Sequence, residues 1–305
     1  MDWVEELMEK LGSPNLLARE NAIIRLSEND DSRIVPALIE LLKNGNKDEQ
    51  ESSARALGYI KDERAVTTLI ETLRNENLSV RLSASTALGR FGQSAVPFLI
   101  EALNISNSNV REYALRALGD IKDVQAVPAI ISVLNDINAF PNVICNSEMA
   151  LDKIADANPG NPSLTIAVFP LIVRMNDLDS NVRAWAAMAL GKIGDIRAVQ
   201  PLIERLGRIE CAELVAREII IRCKTTQHLE DFEIGLQKGY DNLKKSAKTS
   251  ELLFRIQIRI SRLMTEVAKK RDELAQDKGI LLTDTPKPPK KGGVYQQIRR
   301  TVRNG

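Results

Sequence analysis

The chain has 305 residues, of which 44% are hydrophobic, 27% charged and only 4% aromatic. That is enough apolar matter for a sizeable core with few large rings, and it excludes a disordered protein. The net charge of +1 conceals an asymmetry: residues 243–305 hold 16 Lys and Arg against 6 Asp and Glu, which leaves 26 against 35 upstream, an acidic body with a basic tail. The longest apolar run, Ile166 to Val173, falls far short of the ~20 residues that cross a bilayer. Met1-Asp2-Trp3-Val4-Glu5-Glu6 lacks the basic-then-apolar start of a secretion signal, and Cys145, Cys211 and Cys223 are odd in number and scattered. A cytoplasmic chain without a disulfide framework is expected.

In chain order, residues 4–11 come first as a half unit, matching only the second segment of a two-segment repeat, with Trp3 as part of its cover. The full repeat then recurs. Ala56-Leu57-Gly58, Ala87-Leu88-Gly89, Ala117-Leu118-Gly119 and Ala189-Leu190-Gly191 mark it, with degenerate copies at Arg25-Leu26-Ser27 and Ala150-Leu151-Asp152. Their third positions are 31, 31, 30, 33 and 39 residues apart. Within a first segment, Val80, Ala84, Ala87 and Leu88 fall at i, i+4, i+7 and i+8, one stripe of a helix, and Val110, Ala114, Ala117 and Leu118 repeat it. Five residues before the third position stands a small residue in every copy: Ala22, Ser53, Ala84, Ala114, Ser147 and Ala186. Small side chains at that point let helices approach closely. The glycine column predicts left-handed helix C-termini. Asp31, Asp62, Asp123, Asp156 and Asp195, four residues on, predict caps for the second helices, with Gln93 as the exception. Those helices start at Ala-Val-Pro or a close variant, and Val96, Leu99, Ile100 and Leu103 show their apolar face. Asn158-Pro159-Gly160-Asn161-Pro162 interrupts the series as an inserted loop.

Neither helix of a pair can bury its stripe alone, and stacked pairs make one continuous core. The pattern of a Val-Arg start, Ala-Leu-Gly, an acidic turn and Ala-Val-x-x-Leu-Ile resembles HEAT-like repeats of the phycobilisome-lyase type. The resemblance implies an all-α, right-handed α-solenoid with a C-terminal helical cap and a long helix, and a scaffolding, partner-binding role. The expected organisation is a solenoid over 1–242, with a half repeat at 1–12, about six repeats over 15–210 and a degenerate capping pair at 211–242. A long basic helix over 243–282 and a flexible Pro/Lys-rich tail over 283–305 complete it.

In the long helix, Leu253, Ile256, Ile260, Leu263, Val267 and Leu274 keep alternating 3 and 4 spacing, a seam that predicts packing on the preceding helix or self-association through residues 250–277. Arg255, Arg259 and Arg262 make a basic row at i, i+4 and i+7. Beyond the proline-rich stretch, Val294-Tyr295-Gln296-Gln297-Ile298-Arg299-Arg300-Thr301-Val302-Arg303 places an apolar residue at every fourth position and arginines between. A segment so short holds no helix alone.

Catalytic signals are lacking. A single histidine, His228, excludes a His-Glu-x-x-His zinc site and the paired His-Glu iron ligands of HEAT-like hydroxylases. There is no phosphate-binding loop, and no metal, cofactor or catalytic residue is expected. The Arg19, Arg81, Arg111 and Arg183 column predicts a buried polar ladder. A column of Glu9, Glu40, Glu71, Glu101 and Glu204 stands two residues before the last Leu of second helices, broken at Ser132 and Val173. Spaced about 10 Å apart, roughly a Debye length, these carboxylates would sum into a negative groove, with Phe98 as an apolar anchor. The expectation is a non-enzymatic scaffold that binds a basic protein segment on this acidic face. Tyr295, Arg299 and Arg300 would supply a second contact or dock on the chain itself. The alternatives are a nucleic-acid-associated protein binding through Arg255, Arg259, Arg262 and the tail, or an accessory subunit like those of phycobilin lyases.

Overall fold

The computed structural model describes residues 2–136, 138–204, 216, 220, 226–246 and 250–277. They form an all-α solenoid that divides into two compact units, residues 1–158 and 159–305. In the first unit α1 (Trp3–Lys10) covers the pair α2 (Leu16–Ser27) and α3 (Ile34–Asn44). There come next α4 (Lys47–Ile60) with α5 (Val66–Thr72), α6 (Leu78–Phe91) with α7 (Val96–Ala102), α8 (Ser108–Ile121) with α9 (Val127–Asn135), and α10 (Pro141–Ala157). The second unit holds α11 (Val168–Arg174), α12 (Ser180–Ile193), α13 (Val199–Glu204), α14 (Thr226–Ser246) and α15 (Ser250–Asp277).

The stripes read from the sequence are the core. Val80, Ala84, Ala87, Leu88 and their counterparts Val110, Ala114, Ala117, Leu118 are fully buried, as are Leu38, Leu69, Leu99 and Ile130 on the second helices. All six residues of the small column are sealed from solvent. The glycine column does something other than end helices. Gly58, Gly89, Gly119 and Gly191 lie inside their helices, and the left-handed positions are Lys61, Lys122 and Gly194, three residues later. At Gly58 a Cβ would stand 2.7 Å from Ala87 Cα, and at Gly119 3.0 Å from Ala150 Cα. In these two copies glycine is required by the approach of the next first helix.

Polar ends are closed by the same devices in each unit. First helices start at Asn15, Asn46, Asn77, Asn107 and Asp179, whose side chains accept from backbone N–H groups of the first turn. This column recurs with the repeat but goes unnoticed beside the stronger apolar pattern. Asp31, Asp62, Asp123 and Asp195 accept from the backbone N–H two residues on, turning the chain into the second helix through a 3-10 turn in the last three cases. Asp156 does not share that role. It lies within α10, and Asn161 takes over by accepting from Ser163 N. The insertion is absorbed by a 17-residue first helix, where most are 14, and by a six-residue 3-10 turn. Gly160, with φ 74°, makes the bend.

The arginine column is structural. Arg19, Arg81 and Arg183 donate from Nη1 to carbonyls of the turn before their own helices: Ser13 at 2.6 Å, Asn75 at 2.7 Å and Asp177 at 3.0 Å. Arg111 instead pairs with Asp136 at 3.0 Å. The guanidinium charge, unfavourable at a helix N-terminus, is thus met by carbonyl dipoles or a carboxylate. Further ties join successive first helices: Arg55 to Glu20 in a two-pronged pair, Arg90 over the Tyr59 ring at 4.1 Å, and Lys153 to Asp120 at 2.7 Å.

In the second unit α14 packs on α13, with Gly235 held close against Val199, and α15 packs on α14. Ile260, Leu263 and Val267 of the seam are buried, and Arg271 ties to Glu233 at 2.8 Å. Packing on the preceding helix therefore occupies this part of the seam. Of the expected capping helix from Cys211 to Cys223 only Ala216 and Ile220 are described, both helical and buried.

Two substitutions at the glycine column should differ in stability. Gly58→Ala should lower unfolding free energy by about 1–3 kcal/mol, because crowding of backbone on backbone outweighs the ~1 kcal/mol gain in helix propensity. Gly89→Ala, whose nearest neighbour would be Asp120 Cβ at 3.4 Å, should be neutral or stabilising; urea denaturation of both variants distinguishes the two. The side-chain hydrogen bond from Arg33 holds the Asp31 carboxyl down at about 2. Its contribution is therefore complete above the ordinary carboxylate range near ~4 and is lost as pH falls toward about 2. NMR titration of Arg33→Ala should show the Asp31 pKa moved up toward the ordinary range but still lowered by the backbone N–H of residue 33, which the substitution keeps.

Candidate interaction surface

The acidic column owes its exposure to the core. Successive helical residues turn ~100°, so a residue two before a buried one points to the opposite side. Leu11, Leu42, Leu73 and Leu103 are buried, and Glu9, Glu40, Glu71 and Glu101 are accordingly exposed on α1, α3, α5 and α7. Glu40 accepts from Asn44 Nδ2 at 2.7 Å. Ser132 continues the register on α9 as an exposed hydroxyl. In the second unit Val173 holds the position on α11, and Glu204 ends α13, its side chain outside the described residues.

The structure adds a feature that the charge column alone does not display. Three residues beyond Glu40 and Glu71 stand Lys43, exposed on the same side of α3, and Arg74, exposed in the turn after α5. Each tempers the field of its carboxylate. Beyond Glu101 the same place is held by Asn104, exposed and neutral. Glu101 and Glu9, which has Gly12 at that place, are thus the exposed carboxylates of the row without a cation three residues on. On α7 stands Phe98 as well, three residues before Glu101 and 41% exposed.

Beside this cluster, between α7 and α9, a groove of about 410 Å³ opens. Ile100, Leu103, Ser132 and Val133 form its sides, Asn104 stands at the turn, and the Arg111–Asp136 pair lines it as well. Where the other repeats carry Glu, Ser132 is short, and the space is left open. The break at Ser132 is visible in the sequence, but that a missing side chain makes room is not. A carboxylate, an exposed ring and a mostly polar groove together can hold an extended peptide with one cationic and one apolar side chain.

The remaining expected site residues are separate. Arg255, Arg259 and Arg262 lie on α15, Arg262 exposed and the other two side chains outside the described residues. Tyr295, Arg299 and Arg300 also lie outside them. His228 falls in α14, its side chain likewise not described, and Cys145 is half-buried. Among the described residues no three His, Cys, Asp or Glu side chains gather as a metal site, and no helix is long and apolar enough to cross a membrane.

Comparison with known proteins agrees with this architecture. The HEAT-repeat family model matches over residues 4–84, 35–107 and 67–141, and the PBS lyase HEAT-like repeat over 182–208. No curated protein sequence matches the chain. Among solved structures, yeast importin-β, Kap95p, is similar in its complex with Nup1, with 14% identity and a TM-score of 0.56 over 90% of this chain and 43% of that one. Kap95p bound to RanGDP is similar at 15% identity and TM-score 0.56, over 90% and 44%. The chain thus spans less than half the length of Kap95p, and at these identities the likeness is one of fold. A chain of the CpcE–CpcF complex of phycocyanin lyase from Nostoc sp. PCC7120 aligns at 22% identity over 86% of this chain and 95% of that one, with a TM-score of 0.34. Repeat columns, helix pairs and family models coincide on the same segments: the chain is a HEAT-like repeat protein.

Proposed function

We propose that the protein is an interaction scaffold whose second-helix face in residues 1–158 binds a basic segment of a protein partner, with Glu101, Phe98 and the adjoining groove as the centre of the site. The observation that carries this reading is the coincidence of three things at α7: a carboxylate of the row with no basic residue in register, an exposed aromatic ring, and an open groove. A cation of the partner meets Glu101 while an apolar neighbour covers Phe98. Glu71 and Glu40 extend the negative row but contribute less, each being accompanied by a cation. That Kap95p is solved with Nup1 and with RanGDP supports protein binding as a use of such a fold. The net acidity of residues 1–242 favours a basic partner over nucleic acid on this face.

Fluorescence anisotropy with a lysine-rich peptide carrying one leucine tests the reading on the full chain. Glu101→Gln should weaken binding by about two- to five-fold, the worth of one exposed charge pair, and Phe98→Ser by about five-fold or more, as for a central aromatic contact. Glu40→Gln should have a smaller effect, and affinity should fall as salt rises. Equal binding of a glutamate-rich peptide, or unchanged affinity in both Glu101→Gln and Phe98→Ser, would overturn it.

A further inference from the structure

The arginine column breaks its habit once, and it does so at the groove. Arg81 Nη1 donates to the carbonyls of Asn75 at 2.7 Å and Glu76 at 2.9 Å, and Arg183 Nη1 to those of Asp177 at 3.0 Å and Leu178 at 2.8 Å. Two successive carbonyls of the turn before a first helix thus make one seat for a guanidinium. Between α7 and α8 the corresponding carbonyls are those of Ile105 and Ser106, and both residues line the groove. The turn is built alike. Leu73, Arg74 and Asn75 donate their N–H groups to the carbonyls three residues back at 3.0 to 3.1 Å, and Leu103, Asn104 and Ile105 do the same at 3.0 to 3.2 Å. Arg81 N and Arg111 N each reach the cap carbonyl, of Asn77 and Asn107, at 3.2 Å. Only the side chain departs: Arg111 Nη2 crosses to Asp136 Oδ2 in the next turn at 3.0 Å. Among the described residues no donor then takes the Ile105 or Ser106 carbonyl. Asp136 is what draws the guanidinium away, since for Arg81 the same place of the next turn is Ile105, which offers no carboxylate.

We infer that a guanidinium of the partner takes the seat from which Arg111 is drawn off, so that the groove reads an arginine of the bound segment through the Ile105 and Ser106 carbonyls. This rests on the reading that a basic segment lies on this face, and it adds a second, more selective contact to the one at Glu101. The repeats of Arg81 and Arg183 hold a guanidinium on the same two carbonyls of the same turn, which fixes the chemical class of the occupant. Ile100, Leu103 and Val133 give the aliphatic stem an apolar wall, and a groove of about 410 Å³ admits one such side chain. The charges permit it. Arg111 is matched by Asp136, whose side chain is the more exposed of the two, 33% against 15%, so an entering cation meets the carboxylate side of the pair. Glu101 stands four residues before Ile105, about 6 Å along the helix axis and on the same side. Two residues of an extended chain span about 6.6 Å and point the same way. The bound segment therefore carries its arginine two places from the cation that meets Glu101. A guanidinium suits the place better than an ammonium, because it is less strongly hydrated and its donors are fixed in one plane.

Two peptides tested by fluorescence anisotropy on the full chain decide the assignment. One is the lysine-rich, leucine-bearing peptide with an arginine two places from a lysine; the other has citrulline at that position, which keeps the shape and loses the charge. The arginine peptide should bind about ten-fold more tightly, as expected for hydrogen bonds to a charged group. Asp136→Asn should let Arg111 return to the Ile105 carbonyl, as its counterparts do, and reduce the preference to about two-fold or less. Asp136→Asn combined with Arg111→Gln removes the competitor as well and should restore a preference of about five-fold or more. Equal affinity of the two peptides for the parent protein would overturn the inference. This comparison needs no variant, so it decides even where a substitution unfolds the chain. A preference lost equally in the single and the double variant would assign the arginine to Asp136 itself and overturn the inference too. If the citrulline peptide still binds and is weakened by Glu101→Gln, the wider reading of a basic partner stands without this seat; if neither peptide binds, both fall.

Discussion

The structure depends on the closeness with which one first helix lies against the next. Gly58 against Ala87 and Gly119 against Ala150 leave no room for a methyl group, and the small column from Ala22 to Ala186 is sealed throughout. Short side chains bring backbones together, and the larger Leu and Val of each stripe then fill the space between first and second helices at near-crystalline density. Because each pair leaves an apolar flank for its neighbour, stability belongs to adjacent repeats and not to any single one. Loss of one close approach is therefore felt by two pairs.

Many helix ends per residue create a second problem, since each terminus leaves backbone groups unsatisfied. The repeat answers with an Asn or Asp at most first-helix starts, an Asp at most turns into second helices, and an arginine that ties down the preceding turn. The four arginines are only partly exposed, Arg19, Arg81 and Arg183 being spent on backbone carbonyls and Arg111 on Asp136. The arginine column therefore offers little to a phosphate, although its spacing along the sequence resembles a basic row.

What remains for function is the side of each second helix opposite its buried Leu. Packing dictates that these positions are exposed and leaves their chemistry open. The same register holds glutamate on five helices, serine at 132 and valine at 173. One residue per repeat can therefore change on this side with no effect on the core. The two units use that freedom in opposite ways: carboxylates and a groove in residues 1–158, exposed Ile166, Phe169 and Val173 in residues 159–305.

Periodicity alone determined the helix pairs, the buried stripes and the acidic column, because a repeated 3.6-residue pattern with small residues in register has one way to become buried. The exposure of Glu9, Glu40, Glu71 and Glu101 came with the burial of the leucines two places on. Other features needed coordinates. Whether glycine ends a helix or admits a neighbour depends on distance between chain segments, which residue type does not encode; Gly58 does the latter and Lys61 takes the left-handed turn. Asp156 lost its capping place because an insertion can be absorbed as helix, a choice made by packing of α10. The groove beside Ser132 arises from what neighbouring helices bring together, whereas the tempering of Glu40 by Lys43 is local to α3. Sequence named the carboxylates, and only the tertiary structure decided which of them stands next to open space.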